Sequence, residues 1–177
     1  MAQLQTEWKR LVVAIVAHVG VSAMHLASAA SPDEDKLALL SCAPSANASL
    51  GKRDAVNWLN QSGTPLPNDA GMHLSGPLEF GKACLKNVTV TGSFGVMLIQ
   101  GEICSERLGD FTDALAAIGI PVGKVTPQQA PGAELGSMSD KRQYVIGRGM
   151  IDMRTGKTLP TTSEYAFLCS LAVSGPQ

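Results

Sequence analysis

Between Ser105 and Ile118 the apolar residues return every three or four positions, and the pattern predicts an amphipathic helix. Leu108, Phe111, Leu115 and Ile118 fall within about 80° of arc, while Glu106, Asp110 and Asp113 gather on the opposite side. Gly119 and Pro121 stop it, because glycine adopts the backbone that ends helices and proline cannot continue one. On either side of this helix the sequence reads as strands. Cys84 to Cys104 (CLKNVTVTGSFGVMLIQGEIC) carries β-branched residues around a glycine-rich middle, and predicts a hairpin turning around Ser93-Phe94-Gly95. That turn sets Val90 opposite Leu98, Lys86 opposite Glu102 and Cys84 opposite Cys104, so one register yields an apolar, an opposite-charge and a cysteine pair. Residues 142–153 and 158–173 predict a second hairpin, turning at Arg154-Thr155-Gly156-Lys157, with Tyr144 facing Phe167 and Ile146 facing Tyr165. Tyr165, Phe167, Cys169, Leu171 and Val173 alternate along one face of its last strand.

Upstream, Ser31-Pro32-Asp33-Glu34 has the residues of a helix start: a capping serine, a first-turn proline and a glutamate three residues on. The helix runs through Leu37 to Leu40 to Cys42 and is ended by Pro44. A second helix is predicted over Lys52 to Gln61, with Ala55, Val56 and Leu59 on one side and Trp58 at the edge of that face. Residues 62–76 are punctuated by glycine and proline and read as loop. After the Ser105 helix, Ile120 to Val125 reads as a short edge strand, and the remainder of 121–140 as a long loop of the kind that is functional or disordered in compact domains. The expected fold is α+β: two N-terminal helices, then ββαββ, with an antiparallel sheet packed on helices.

The N-terminus changes the setting. Lys9 and Arg10 precede the apolar run Leu11 to Met24, and Ala27-Ser28-Ala29 supplies a small-x-small cleavage pattern. Residues 1–29 therefore read as a secretory signal peptide, too short in its apolar run to anchor the chain, leaving 30–177 as a single exported domain with no stable membrane insertion. Leu39-Leu40-Ser41-Cys42 looks like a lipoprotein motif, but the charged Pro32–Lys36 stretch just upstream does not suit a signal core. The expected location is the bacterial periplasm, although the signal alone would also permit release from the cell.

Charge and cysteine content then narrow the chemistry. The formal net charge is −1, and losing Lys9 and Arg10 against Glu7 makes it one unit more negative, so there is no basic surplus for nucleic acid. The four cysteines survive cleavage, and in an oxidising compartment two disulfides are expected. Four cysteines permit three connectivities. The hairpin register favours Cys84 with Cys104, which leaves Cys42, on the buried first helix, for Cys169 on the last strand. No CxxC spacing offers a zinc site or a redox dithiol.

His73 is the only histidine beyond the signal segment, and a hydrolase would have to use it; no serine sits in a GxSxG elbow. Gly76 to Lys82 fits GxxxxGK, but Ala83 stands where a hydroxyl must bind magnesium, and Gly156-Lys157-Thr158 has Ile151 where the first glycine belongs. Gly147-Arg148-Gly149 is a lone glycine pair that relieves crowding in a twisted strand. The acidic residues are scattered and aromatic platforms for a sugar are few. Neither a metal nor a cofactor is expected.

A signal peptide over 1–29, a single mature domain and an α+β build stapled through Cys42, Cys84, Cys104 and Cys169 together resemble the immunity proteins that Gram-negative bacteria encode beside secreted antibacterial toxins, including those of type VI secretion. The resemblance is one of architecture. It implies a stoichiometric complex with a secreted or periplasmic toxin or enzyme, and no catalysis by this chain. The expected contact residues are read from the sequence itself: the acidic helix face of Glu106, Asp110 and Asp113, the tryptophan Trp58, and the 121–140 segment. An envelope carrier of a small ligand or lipid is the alternative, and it needs an apolar cavity.

Overall fold

The computed structural model describes residues 32–43, 60–67, 71–93, 96–139, 142–151 and 158–172. The predicted signal peptide, the Phe94-Gly95 and 154–157 turns, Val173 and Trp58 with most of its predicted helix lie outside these residues; residues 60–62, at that helix's end, are helical.

The first described element, α1 (Pro32–Leu40), buries Leu37, Ala38 and Leu40. It stops at Leu40, before the expected Cys42, because the next turn folds into a Schellman motif. The N–H of Ala43 bonds the carbonyl of Ala38 (2.7 Å), that of Cys42 bonds Leu39 (3.0 Å), and Cys42 takes the left-handed conformation at φ 57°. The second described helix, α2 (Leu108–Ala117), ends on the same motif with Gly119 at φ 83°: Ile120 N–H reaches Leu115 O (2.9 Å) and Gly119 N–H reaches Ala116 O (3.0 Å). Phe111 and Leu115 are its buried residues, and Phe111 meets Phe167 edge-on with ring centroids 5.3 Å apart. The helix starts later than its periodicity predicts, so Glu106 precedes it.

Strands β1 (Gly63–Pro65), β2 (Gly71–Leu74), β3 (Leu78–Phe80), β4 (Ala83–Ser93), β5 (Val96–Ile103), β6 (Gly123–Lys124), β7 (Ala133–Met138), β8 (Arg142–Gly147) and β11 (Ala166–Ala172) form one sheet, antiparallel throughout. Its order is β1-β2-β4-β5-β11-β8-β7-β6, with β3 beside β4. Among the described residues, two further strands, β9 (Met150–Ile151) and β10 (Thr158–Leu159), pair with each other in a separate two-stranded sheet. The α+β character holds, but the order is richer than ββαββ. Strands β1 and β2 lie in the 62–76 stretch that reads as loop, β3 follows just after it, and β7 lies within the 121–140 segment, of which only the short edge strand was expected. For β1 to β3 length is the reason: strands of three or four residues among Gly and Pro show no alternation, and it is pairing with the long β4 that holds β2 and β3.

Both predicted hairpins need a change of register. In β4–β5 Lys86 faces Glu102 as expected, but the pairing slips by one residue between Lys86 and Thr89, so Val90 faces Ile99 rather than Leu98. The slip is a β-bulge at Asn87-Val88, with Asn87 at φ 51°. It brings Leu85, Val88 and Val90 together on the buried side, which an unbroken alternation of 85 with 88 would forbid. In the last hairpin Phe167 faces Ile146 and Cys169 faces Tyr144, two residues from the expected pairing and hence still on the expected face. The irregular stretch 160–165 between β10 and β11 absorbs the difference. Strand β11 lies between β5 and β8, at the centre of the sheet.

The inner face of the sheet carries Leu85, Val90, Ile99, Tyr144, Ile146, Phe167 and Cys169 into one core with Leu40, Phe111 and Leu115 of the helices. The pairings Cys42–Cys169 and Cys84–Cys104 are both formed. The first joins the end of α1 to β11, where Tyr144 also donates its hydroxyl to the carbonyl of Cys42 (3.1 Å). Burial there holds the Tyr144 phenol above its ordinary range, against the pull of nearby Arg142. The second closes the open end of the β4–β5 hairpin.

Candidate functional site

Two concave regions stand out, built from different elements. The first is a charged groove at the Cys84–Cys104 bridge, lined by Glu79, Lys82, Glu106, Arg107 and Asp110 beside the half-buried cysteines themselves. The backbone fixes its floor: Cys104 N–H bonds Cys84 O (3.0 Å), and Cys84 N–H donates to the Ser105 hydroxyl (2.9 Å). Arg107, just before α2, reaches Asp110 through Nη2 (2.8 Å) and Nε (3.4 Å). That guanidinium holds the Asp110 carboxyl below its ordinary range despite partial burial, with Lys82 adding a smaller pull.

The acidic stripe read from the sequence is therefore divided. Glu106 and Asp113 are exposed. Asp110 keeps only 8% of its side-chain surface and is committed to Arg107, so it shapes the groove rather than offering a free charge. Glu106 and Asp110 line the groove. Trp58 lies outside the described residues, and nothing joins it to this site.

The second region is a cleft of about 190 Å3 on the outer face of the sheet, the face turned away from the helices. Its floor is a cross-strand row, Gln100 on β5, Leu168 on β11 and Val145 on β8, which face one another in register. Its wall is the turn Gln129 to Gly132, with Met138 and Met150 nearby. The turn can fold back over the sheet because position 147 is glycine: a β-carbon there would stand 2.4 Å from the carbonyl oxygen of Gly132. The expectation that Gly147 relieves crowding is thereby given a partner. The cleft falls short of the ~300–1,000 Å3 usual for small-molecule sites. Among the described residues, the Oε1 of its floor residue Gln100 is sealed from solvent and has no hydrogen-bond partner; neither has Thr89 Oγ1, on the residue paired with Gln100 across β4–β5.

His73 lies half-buried on β2, facing Thr64 on one side and Thr89 on the other. Since the Thr89 hydroxyl oxygen has no hydrogen-bond partner among the described residues, His73 included, the two form no nucleophile–base pair. Among the described residues, no group of His, Cys, Asp and Glu is gathered to hold a metal ion, and no helix is long and apolar enough to cross a membrane.

Sequence reasoning missed a buried carboxylate. Glu102 is 4% exposed. Its Oε2 accepts from the N–H groups of Thr162 (3.0 Å) and Ser163 (3.1 Å) and from the Thr162 hydroxyl (2.7 Å), and its Oε1 accepts from the Asn87 amide (2.9 Å). Lys86 Nζ lies 3.9 Å from Oε2. Burial alone would raise this carboxyl; the hydrogen bonds from Thr162, Asn87 and Ser163 together outweigh it and hold the group below its ordinary value. Both oxygens are engaged, Oε2 by the 160–165 segment and Oε1 by the bulge, so Glu102 fastens that segment to the sheet. A second surface cluster ties the same segment down: Arg148 bridges Glu134 (2.8 Å) and Glu164 (2.7 Å) and lies over the Tyr165 ring at 5.2 Å.

Set against protein-family models, curated proteins and solved structures, the chain matches none.

Proposed function

We propose that this is an exported binding protein whose task is to present a rigid surface to one protein partner, and that it acts as an immunity factor, neutralising a periplasm-acting toxin or enzyme by stoichiometric contact. The observation that carries this reading is the disposition of the cysteines. All four are spent in bridges, one inside the core and one under an open charged groove. A scaffold fixed in this way loses little freedom when it docks, which favours tight binding. The groove displays both signs of charge, with Lys82 among Glu79 and Glu106 beside the Arg107–Asp110 pair, and such a pattern selects a partner by complementarity and suppresses wrong ones.

Capture by the oxidised protein from the envelope and secreted fractions of its own cells, read by mass spectrometry and native mass, tests the proposal. One partner retained in a fixed ratio is the expected result, with retention weakened by Glu106→Lys together with Lys82→Glu. A protein that retains nothing, or that turns over a substrate in a manner abolished by His73→Ala, would sink it.

A further inference from the structure

We infer that the outer-face cleft receives a single aromatic side chain bearing a hydrogen-bond donor, tyrosine above all, presented by a protein partner; the inference rests on the binding role proposed above. Size sets the first limit. An apolar cavity of about 150 Å3 accommodates a benzene ring, so the 190 Å3 of this cleft suits one ring and the carbon that joins it to a backbone. The lining sets the second. Val145, Leu168 and Met150 offer apolar contact, and the flexible thioethers of Met138 and Met150 adapt to a ring edge. Around the mouth, Gln129 and Gln143 are exposed amides, and Met138 is 37% exposed, so the depression sits in an accessible surface of the kind an interface covers.

Charge complementarity points to the donor. A buried oxygen without a partner forfeits its hydration and gets nothing back. Gln100 Oε1 is such an atom, on a side chain that lines the cleft, and it carries the negative partial charge that an incoming hydroxyl hydrogen would meet once the amide turns toward it. Thr89 Oγ1, on the residue paired with Gln100 across β4–β5, is likewise without a partner among the described residues, although Thr89 does not line the cleft. Large amphipathic side chains buried in a pocket with their polar tips bonded are the usual energetic anchors of protein interfaces.

The test titrates the oxidised protein with N-acetyl-tyrosinamide, N-acetyl-phenylalaninamide and N-acetyl-leucinamide, following methyl and amide resonances by NMR. Tyrosinamide is expected to move the methyl signals of Val145, Leu168 and Met150, to bind about fivefold more tightly than phenylalaninamide, as one hydrogen bond would provide, and to exceed leucinamide by more. Gln100→Leu should erase the tyrosine preference while raising the unfolding temperature, because the unpartnered acceptor is gone. Val145→Trp should fill the cleft and abolish the shifts; Gln143→Trp, from the exposed rim, does the same if the first variant fails to fold.

Shifts elsewhere on the protein, or equal binding of the three amides, would overturn the inference. So would a free phenol such as p-cresol binding more than tenfold more tightly than the capped residue, which would make the cleft a small-ligand site. A Thr89→Val variant less stable than the parent would show that hydroxyl and amide satisfy each other, leaving nothing for a guest. If a partner is captured equally well by Gln143→Trp, the cleft inference fails and the binding role stands. If no protein is captured although the titration succeeds, the binding role fails, and with it the protein origin of the ring.

Discussion

The two disulfides do different work, and their surroundings explain the difference. Cys42 and Cys169 are 1% and 0% exposed, and they tie the left-handed end of α1 to the central strand across 127 residues of sequence. Cys84 and Cys104 are half-buried at the edge of an open groove and span 20 residues. In the chain-entropy account the longer closure restricts the unfolded chain by about 5 kcal/mol and the shorter by about 3 kcal/mol. The groove bridge also has helpers: the Cys104–Cys84 backbone bond, the Ser105 hydroxyl and, two residues inside, the hydrogen-bonded Glu102. The core bridge sits at a helix end whose left-handed Cys42 costs about 1–3 kcal/mol that a glycine, such as Gly119 in the matching motif of α2, would not. One bridge sets the relation of helix to sheet; the other trims a hairpin that its own ladder already defines.

The largest contrast should appear in chemistry. Under a mild thiol reductant without denaturant, Cys84 and Cys104 should be reduced and alkylated at least about a thousandfold faster than Cys42 and Cys169, since the latter pair is reached only by opening the core. Alkylation followed by mass spectrometry reads this directly, and equal rates would erase the distinction. Next in size are the equilibrium costs. Cys42→Ala with Cys169→Ala should lose about 5 kcal/mol in urea unfolding, close to the whole stability of a small domain, whereas Cys84→Ser with Cys104→Ser should lose about 3 kcal/mol or less. A groove-bridge loss as large as the core-bridge loss would mean that the hairpin ladder does not hold by itself.

Glu102→Gln comes third, at about 2 kcal/mol near neutral pH, because Thr162, Ser163 and Asn87 would lose a charged acceptor. Its pH dependence has a definite sign. The folded carboxyl lies below its ordinary value of 4.5, so it contributes stability above that value and loses it as pH falls through the folded one. The gap between parent and variant should therefore be widest at neutral pH and close in acid; a gap that grew on acidification would contradict the assignment. Smallest is Asp113→Lys, an exposed site on α2, which should change stability by no more than about 0.5 kcal/mol. If partner affinity also ignores it, the contact surface lies on the groove side of the helix.

What the sequence made legible follows from range. The α2 helix and the Cys84–Cys104 pairing were readable from a local period and a hairpin register, and Cys42–Cys169 followed as the remaining pair: Phe111 and Leu115 are buried where the helical stripe puts them, and Lys86 meets Glu102. The register nearer the turn of β4–β5, and that of the last hairpin, were not, because an irregular residue or segment intervenes, the bulge in one and 160–165 in the other. The phase of Leu85, Val88 and Val90 did carry a trace of that bulge, since the odd spacing from 85 to 88 breaks the alternation. Strands β1, β2, β3 and β7 were hidden in Gly- and Pro-rich stretches because pairing partners supply what propensity lacks. The groove was half visible, through Glu106 and Asp110, but not the guanidinium of Arg107 that commits one of them. The outer cleft had no sequence signal, being assembled from β5, β8, β11 and a turn more than twenty residues from any of its floor strands except β8.

Asn87 has a consequence for the length of the chain itself. It is the exposed residue of the bulge, and without it Leu85, Lys86, Val88, Thr89 and Val90 would alternate inward and outward without a break. A one-codon deletion there should therefore be tolerated by the core, whereas a deletion of Thr89 that left the bulge in place would throw every later side chain of the strand onto the wrong side. The inserted residue survives on other grounds: its amide is one of the donors that bind the buried carboxylate. An in-frame gap at that single position, harmless to the sheet and felt only in the segment that Glu102 fastens, is the mark such a residue would leave in a collection of natural variants.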